Sequence, residues 1–119
     1  MKKLICILLV CCSFAVLPLL STHAEKNVIK PLSIGLNVSN GTTYTLAIYL
    51  YGPTNLSAYV NPGGGSYGPL TAGNYTINMY CSAPGSHTFY FNGQSITTST
   101  GSVTFNNVSI TGTSSAAVY

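Results

Sequence analysis

Apolar side chains recur at every second position along almost the whole chain from residue 32 onward, and nowhere at the three-to-four-residue spacing of an amphipathic helix. Successive side chains of a strand point to opposite faces, so this pattern commits the chain to half-buried β-strands. Leu32, Ile34, Leu36 and Val38 alternate with Ser33, Gly35 and Asn37. Tyr44, Leu46, Ile48 and Leu50 then oppose Thr43, Thr45, Ala47, Tyr49 and Tyr51, and Leu56, Ala58 and Val60 oppose Tyr59. Residues 66–70 read as an edge strand, because Pro69 has no N–H to donate to a ladder. Tyr75, Ile77, Met79 and Cys81 follow, then His87, Phe89 and Phe91 with Thr88 and Tyr90 outward, then Gln94 to Thr98. In the last run Val103 and Phe105 share one parity and Val108 and Ile110 the other, which predicts a bulge at Asn106-Asn107.

Turn chemistry punctuates these runs. Asn40-Gly41 and Asn92-Gly93 are hairpin signals, since a type I′ turn needs positive φ at both central positions. Gly52-Pro53, Asn61-Pro62-Gly63-Gly64-Gly65 and Ala83-Pro84-Gly85 break the other connections. Seven to eight short strands at this spacing predict an all-β, antiparallel β-sandwich of Ig-like type.

The first 24 residues have the layout of a secretory signal peptide: Lys2 and Lys3, an apolar run from Leu4 to Leu20, and Thr22-His23-Ala24 at the cleavage positions. A retained anchor is the rival, but the run is interrupted by Ser13 and Pro18 and is short for a span of roughly 20 residues. Lipidation at Cys11 or Cys12 is a second rival, disfavoured because neither follows a small residue. The expected mature protein is therefore a single secreted, extracellular domain, residues 25–119, with no membrane span after cleavage. It carries Glu25, Lys26 and Lys30, and from Pro31 to Tyr119 no Asp, Glu, Lys or Arg. With no Arg in the chain and a net charge of +3 resting on four Lys, nucleic acid is not an expected partner. Three of the four Cys lie in the signal, so Cys81 has no disulfide partner within the mature chain.

One segment resembles a known family. Leu70-Thr-Ala-Gly73-Asn-Tyr75-Thr-Ile77, following Pro62-Gly-Gly-Gly-Ser-Tyr-Gly-Pro, is similar to the L-x-x-G-x-Y-x-I/V signature of prealbumin-like sandwiches, including collagen-adhesin B-type repeats and carboxypeptidase regulatory-like domains. The resemblance implies a Gly that turns the chain and a Tyr that opens a core strand. It covers residues 62–77 and implies a fold, not an activity. The Lys–Asn isopeptide that adhesin repeats would suggest needs a buried acid, and Glu25 is the only carboxylate side chain.

Catalysis can be tested by subtraction. Glycosidase chemistry needs two carboxylates, a Ser–His–acid triad needs an acid, and calcium needs several. Zinc wants three or four ligands, where His87 and Cys81 make two. Gly63-Gly64-Gly65 precedes no helix and reads as a turn rather than a phosphate cradle. No cofactor or metal is expected, and the chain is expected not to be an enzyme. Cys81 and His87 flank one turn on inward parity, so a nucleophile pair is conceivable, although buried Cys and self-satisfied His are the commoner outcome. Sequons begin at Asn37, Asn40, Asn55, Asn74 and Asn107 and matter only in a glycosylating pathway.

What remains is the outer surface. Tyr49, Tyr51, Tyr59, Tyr80 and Tyr90 fall on outward parity among Thr and Asn, a candidate face for stacking on a polysaccharide or other surface, or on another protomer. The strands lack the charges that natural sheets use to block edge pairing. The leading expectation is a structural or adhesive subunit that self-associates, with residues 25–31 or Gly112–Tyr119 donated to a neighbouring sheet. The alternative is a carbohydrate- or surface-binding module using the Tyr face.

Overall fold

A computed structural model describes residues 33–119. The signal segment 1–24, the charged residues Glu25, Lys26 and Lys30, the candidate donor segment 25–31 and Leu32 lie outside the described residues. Nine strands follow one another: β1 (Ile34–Asn40), β2 (Leu46–Tyr51), β3 (Leu56–Val60), β4 (Gly65–Leu70), β5 (Gly73–Cys81), β6 (His87–Phe91), β7 (Gln94–Thr98), β8 (Ser102–Ile110) and β9 (Ser114–Val118). They form a five-stranded sheet, β4-β1-β9-β6-β7, and a four-stranded sheet, β3-β2-β5-β8. One core lies between them, fed by the inward positions of every strand except β7. Phe91 of β6 and Phe105 of β8 meet across it at 6.3 Å between ring centroids.

Two expectations about connectivity are corrected. Asn40-Gly41 does not turn a hairpin: β1 lies in the larger sheet and β2 in the smaller. Local sequence cannot distinguish a hairpin from a crossover, and here the side chain of Asn40 decides. It is 2% exposed, and its Nδ2 donates to the carbonyls of Tyr44 (2.7 Å) and Val60 (2.9 Å). Its Oδ1 accepts from the Thr42 amide (3.1 Å) and hydroxyl (2.8 Å). A buried amide with donors and acceptors both engaged pins the end of β1 to the start of β2 and the end of β3.

The second correction concerns Gly112–Tyr119, which is not a spare flank. Residues 114–118 form β9, parallel to β1 (Leu36↔Ser114 through Asn40↔Val118) and antiparallel to β6. Its Ser- and Ala-rich sequence hides it from a hydrophobicity pattern, yet Ala116, Ala117 and Val118 are all buried. The sandwich therefore has nine strands rather than seven or eight, and one of its pairings is parallel.

The other local readings hold. Asn92 (φ 43°) and Gly93 (φ 87°) make the two-residue turn of the β6–β7 hairpin, with Phe91 opposite Gln94. β4, with Pro69, lies at a sheet edge. Asn107 has φ 54°, and the β5–β8 register slips between Tyr75 and Ile77, so the parity change in β8 is a bulge. Both Val108 and Phe105 are consequently buried.

The Leu70–Ile77 signature builds a corner. Gly73 sits at φ 152°, and a Cβ there would meet Pro53 Cγ at 2.5 Å, so the turn into β5 closes directly on the turn out of β2. Tyr75 is 1% exposed, and its hydroxyl donates to the Thr71 carbonyl (2.7 Å) while accepting from the Thr54 amide (3.3 Å). One phenol thus ties both turns together.

Two outcomes follow from this architecture. Tyr75→Phe keeps the ring but orphans two backbone groups, and should destabilise by about 1–3 kcal/mol. Thermal unfolding would show this as a loss of roughly 4–8 °C per kcal/mol for a domain of this size. Removing residues 114–119 should abolish the folded circular-dichroism signal, because β1 and β6 lose the strand between them. A cooperative transition in the truncated chain would overturn that placement of β9.

Candidate functional site

Four of the five sequence-predicted tyrosines share one surface. Across the outer face of the four-stranded sheet, registers align Tyr59, Ala47, Tyr80 and Ser102 in one row and Ser57, Tyr49, Asn78 and Thr104 in the next, with Tyr51 beside Thr76. Ala47 is outward-facing but buried between its two Tyr neighbours. Tyr59 is 69% exposed, and Tyr51 and Tyr80 are also exposed. The rings of Tyr49 and Tyr59 stand edge to face at 85°, centroids 6.4 Å apart, and their hydroxyls share a 3.1 Å hydrogen bond. That pair is a rigid ridge rather than a flat platform. Asn78, beside Tyr49 in the same row, keeps a buried side-chain oxygen without a partner among the described residues.

Tyr90 lies elsewhere. It belongs to β6, on the outer face of the other sheet, so both layers of the sandwich separate it from the first four. Its row runs Ser39, Ala117, Tyr90, Ser95. Outward parity assigned all five residues to an outside but could not say which outside.

Cys81 and His87 are also on different sheets. The Cys81 sulfur is fully buried, 3.5 Å from the Thr42 hydroxyl. The His87 ring is half-buried between two carbonyls, Nδ1 3.1 Å from Tyr119 O and Nε2 3.0 Å from Pro84 O, and in the neutral ring the single N–H donates to one of them. Each side chain is thus engaged by groups other than its sequence-predicted partner. No group of three His, Cys, Asp or Glu side chains occurs among the described residues, and no helix among them is long and apolar enough to cross a membrane.

The four sheet edges differ in how open they are. β4 carries Pro69 and a register irregularity against β1. β8 carries the Asn106-Asn107 bulge. At the end of β3 the chain turns through residues 61–64 toward β4, held by Gly63 N–H to Asn40 O (2.8 Å) and Gly64 N–H to Asn61 O (3.1 Å). β7 has neither Pro nor bulge nor charge. Phe91 and Gln94 flank a two-residue turn and so exchange both ladder bonds. The alternation that follows leaves the N–H and C=O of Ser95 and Thr97 facing away from β6. Ile96 pairs with buried Phe89 and so faces inward, yet it is 39% exposed.

No protein-family model, curated protein or solved structure matches this chain.

The hydrogen bond to Tyr59 raises the Tyr49 phenol above the ordinary tyrosine range, with partial desolvation and repulsion from the Tyr59 and Tyr51 phenolates adding to it. The neutral pair holds the bond, so its contribution is present below the ordinary tyrosine pKa and is lost as pH rises through the elevated one. In tyrosine ring-carbon NMR, Tyr49 should titrate late, and Tyr59→Phe should bring it back toward the ordinary value. An unchanged titration in that variant would show that the ridge does not exist in solution.

Proposed function

We propose that this chain is a secreted, non-enzymatic structural or adhesive subunit of an extracellular assembly, an Ig-like sandwich of the prealbumin-like type whose copies join by strand addition at β7. The observation that carries the reading is that edge: regular, uncharged, free of proline, and backed by an inward-facing Ile96 left 39% exposed. Natural sheets protect edges with charges, prolines, bulges or covering loops. Pro69 in β4 and the bulge in β8 are such features; β3 and β7 have neither, and of these two only β7 leaves a large inward-facing apolar side chain, Ile96, exposed. The Leu70–Ile77 corner supports the fold type, and the signal-like residues 1–24 support secretion.

With Gly112–Tyr119 taken up in β9, residues 25–31 of a neighbouring copy are the donor strand that remains. Added beside β7, such a segment would satisfy the outward backbone groups of Ser95 and Thr97 and cover Ile96 with Val28 or Ile29. The competing reading, a surface- or polysaccharide-binding face at Tyr49, Tyr51, Tyr59 and Tyr80, is supported by the exposure of Tyr59 and is tested by Tyr59→Ala with Tyr80→Ala.

Electron microscopy of the protein comprising residues 25–119 should show fibres or higher oligomers. Thr97→Pro removes one outward N–H without touching the β6 ladder and should disperse them, as should deletion of residues 25–31. The contact being apolar and backbone-mediated, assembly should be little changed between about 0.1 and 1 M salt. A protein that sediments as a monomer at high concentration would refute the reading.

A further inference from the structure

Tyr119 stands between two hollows, and neither belongs to the tyrosine face of the smaller sheet. On one side, over the outer face of the larger sheet, a shallow hollow of about 290 Å³ is bounded by Tyr90 and Tyr119, with Asn37, Ser39, Ser115 and Ala117 as its floor. On the other, at the end of the sandwich, a second hollow of about 290 Å³ is bounded by Tyr44 and Tyr119, with Thr42, Thr43, Pro84 and His87 between them. Apart from His87 and the α-carboxylate of Tyr119, both are lined by side chains and backbone without formal charge. Tyr119 is 64% exposed and Tyr44 43%.

The backbone of Tyr119 is held before any ligand arrives, and one edge of its ring rests on the protein. The backbone of Tyr119 exchanges two hydrogen bonds with Thr88, Tyr119 N–H to Thr88 O at 3.1 Å and Thr88 N–H to Tyr119 O at 3.0 Å. Its ring lies against Gly41, where a Cβ would come within 2.9 Å of Cδ1. His87, a wall of the second hollow, lies between its two carbonyl neighbours. In the first hollow the Asn37 oxygen is occupied by the Ser66 hydroxyl (2.8 Å), which directs the amide hydrogens of Asn37 to other acceptors.

We infer that Tyr90, Tyr119 and Tyr44 form a binding track for a neutral polysaccharide, with one sugar ring seated in each hollow and Tyr119 as the wall shared by both. The chemistry of the lining selects this ligand class. Residues 33–119 contain no Asp, Glu, Lys or Arg, and the charge at this surface is confined to the α-carboxylate of Tyr119 in the protein comprising residues 25–119, one oxygen of which already accepts from the Thr88 amide and lies 3.1 Å from His87 Nδ1, so a charged polymer finds no row of countercharges. A sugar ring has an apolar face that packs on an aromatic ring, and hydroxyls that pair with amide and hydroxyl groups such as those of Asn37, Ser39, Ser115 and Thr43. Two concave sites on either side of one ring suit a chain of linked rings, whereas the edge-to-face ridge of Tyr49 and Tyr59 offers no comparable seat. This track is separate from β7 and stands or falls independently of the assembly reading.

The test is retention of the protein comprising residues 25–119 on insoluble neutral polysaccharides, namely cellulose, chitin and starch, in low and high salt. The parent should bind at least one of them with little salt dependence. Tyr119→Ala should weaken that binding at least tenfold, and Tyr90→Ala and Tyr44→Ala each about three- to tenfold, while Tyr119→Trp retains it. Each variant's circular dichroism and thermal transition show whether the sandwich is intact. Thr97→Pro should leave binding to the polysaccharide unaltered, which separates failure of this proposal from failure of edge association. Absence of binding to all three polymers overturns the inference. So does loss of binding in Tyr59→Ala with Tyr80→Ala but not in Tyr119→Ala. A folded Tyr119→Ala protein that loses self-association instead of binding would identify this surface as a contact between copies and likewise overturn it.

Discussion

The larger sheet exists because β9 lies between β1 and β6. Without it that sheet separates into the β4–β1 pair and the β6–β7 hairpin, neither of which is joined to the other by any further ladder. A two-stranded ribbon is marginal by itself in water, so closure by β9 converts two weak units into one wall of the core. β9 and its partner β1 lie at opposite ends of the described chain, with Asn40 aligned to Val118. Such a pairing incurs its loop-closure entropy before it gains any packing, which makes the fold one of high contact order and slow formation. The parallel direction follows from connectivity. β9 leaves the smaller sheet after β8 and enters the larger one in the same sense as β1, leaving antiparallel pairing to β6 on its other side.

A sandwich without Asp, Glu, Lys or Arg on its strands has to organise its polar groups by other means. Amides and phenols take the place of ion pairs. Asn40 ties three strand ends together, and Tyr75 ties two turns. Asn92 reaches from the β6–β7 turn to β9, donating to the Ser114 hydroxyl at 3.0 Å and accepting from the Ser115 amide at 2.9 Å. These bonds are between neutral groups, most of them at least partly buried, so salt and moderate pH change should act on them weakly compared with a surface network of charges. The same lack of charge shifts edge protection onto backbone devices, a proline in β4 and a bulge in β8, and makes the plain geometry of β7 chemically significant.

The sequence was most informative where alternation is strong and turns are local. β2, β3, β5 and the β6–β7 hairpin lie where the apolar period and the Gly, Pro and Asn signals put them, and the β8 bulge was readable from a single change of parity. It was least informative where a decision belongs to tertiary packing. Asn40-Gly41 satisfies the local grammar of a hairpin, but the buried acceptors for its amide come from residues 44 and 60. In β9, Ser114-Ser115-Ala116-Ala117 offers too little apolar contrast to announce a strand that is buried by its neighbours on both sides. The tyrosine face was half legible for a related reason. Parity distinguishes inside from outside, whereas assignment of Tyr90 to a different sheet from Tyr80 requires the topology. Alternation put Tyr44 on the face of Leu46, Ile48 and Leu50, but it precedes β2 and is 43% exposed, and Tyr119 gave no signal because it stands at the end of a run.

The distribution of tyrosine shows how one residue type serves three purposes in such a surface. Tyr75 spends its hydroxyl on backbone inside a corner, Tyr49 and Tyr59 spend theirs on each other, and Tyr44, Tyr90 and Tyr119 present ring faces and edges around concave ground. Only the last group combines accessible aromatic area with room for a ligand. Contacts of that kind are individually weak, since an aromatic ring stacked on a small neutral partner contributes about 0.5–1.5 kcal/mol. A single copy holding two sugar rings would therefore release them readily. In an assembly joined through β7, each copy carries its own track at a fixed spacing. Rebinding along one polysaccharide chain then becomes an intramolecular event governed by effective concentration rather than by the affinity of one site. If both proposals hold, edge association would supply the multiplicity that a weak binding track requires for lasting adhesion.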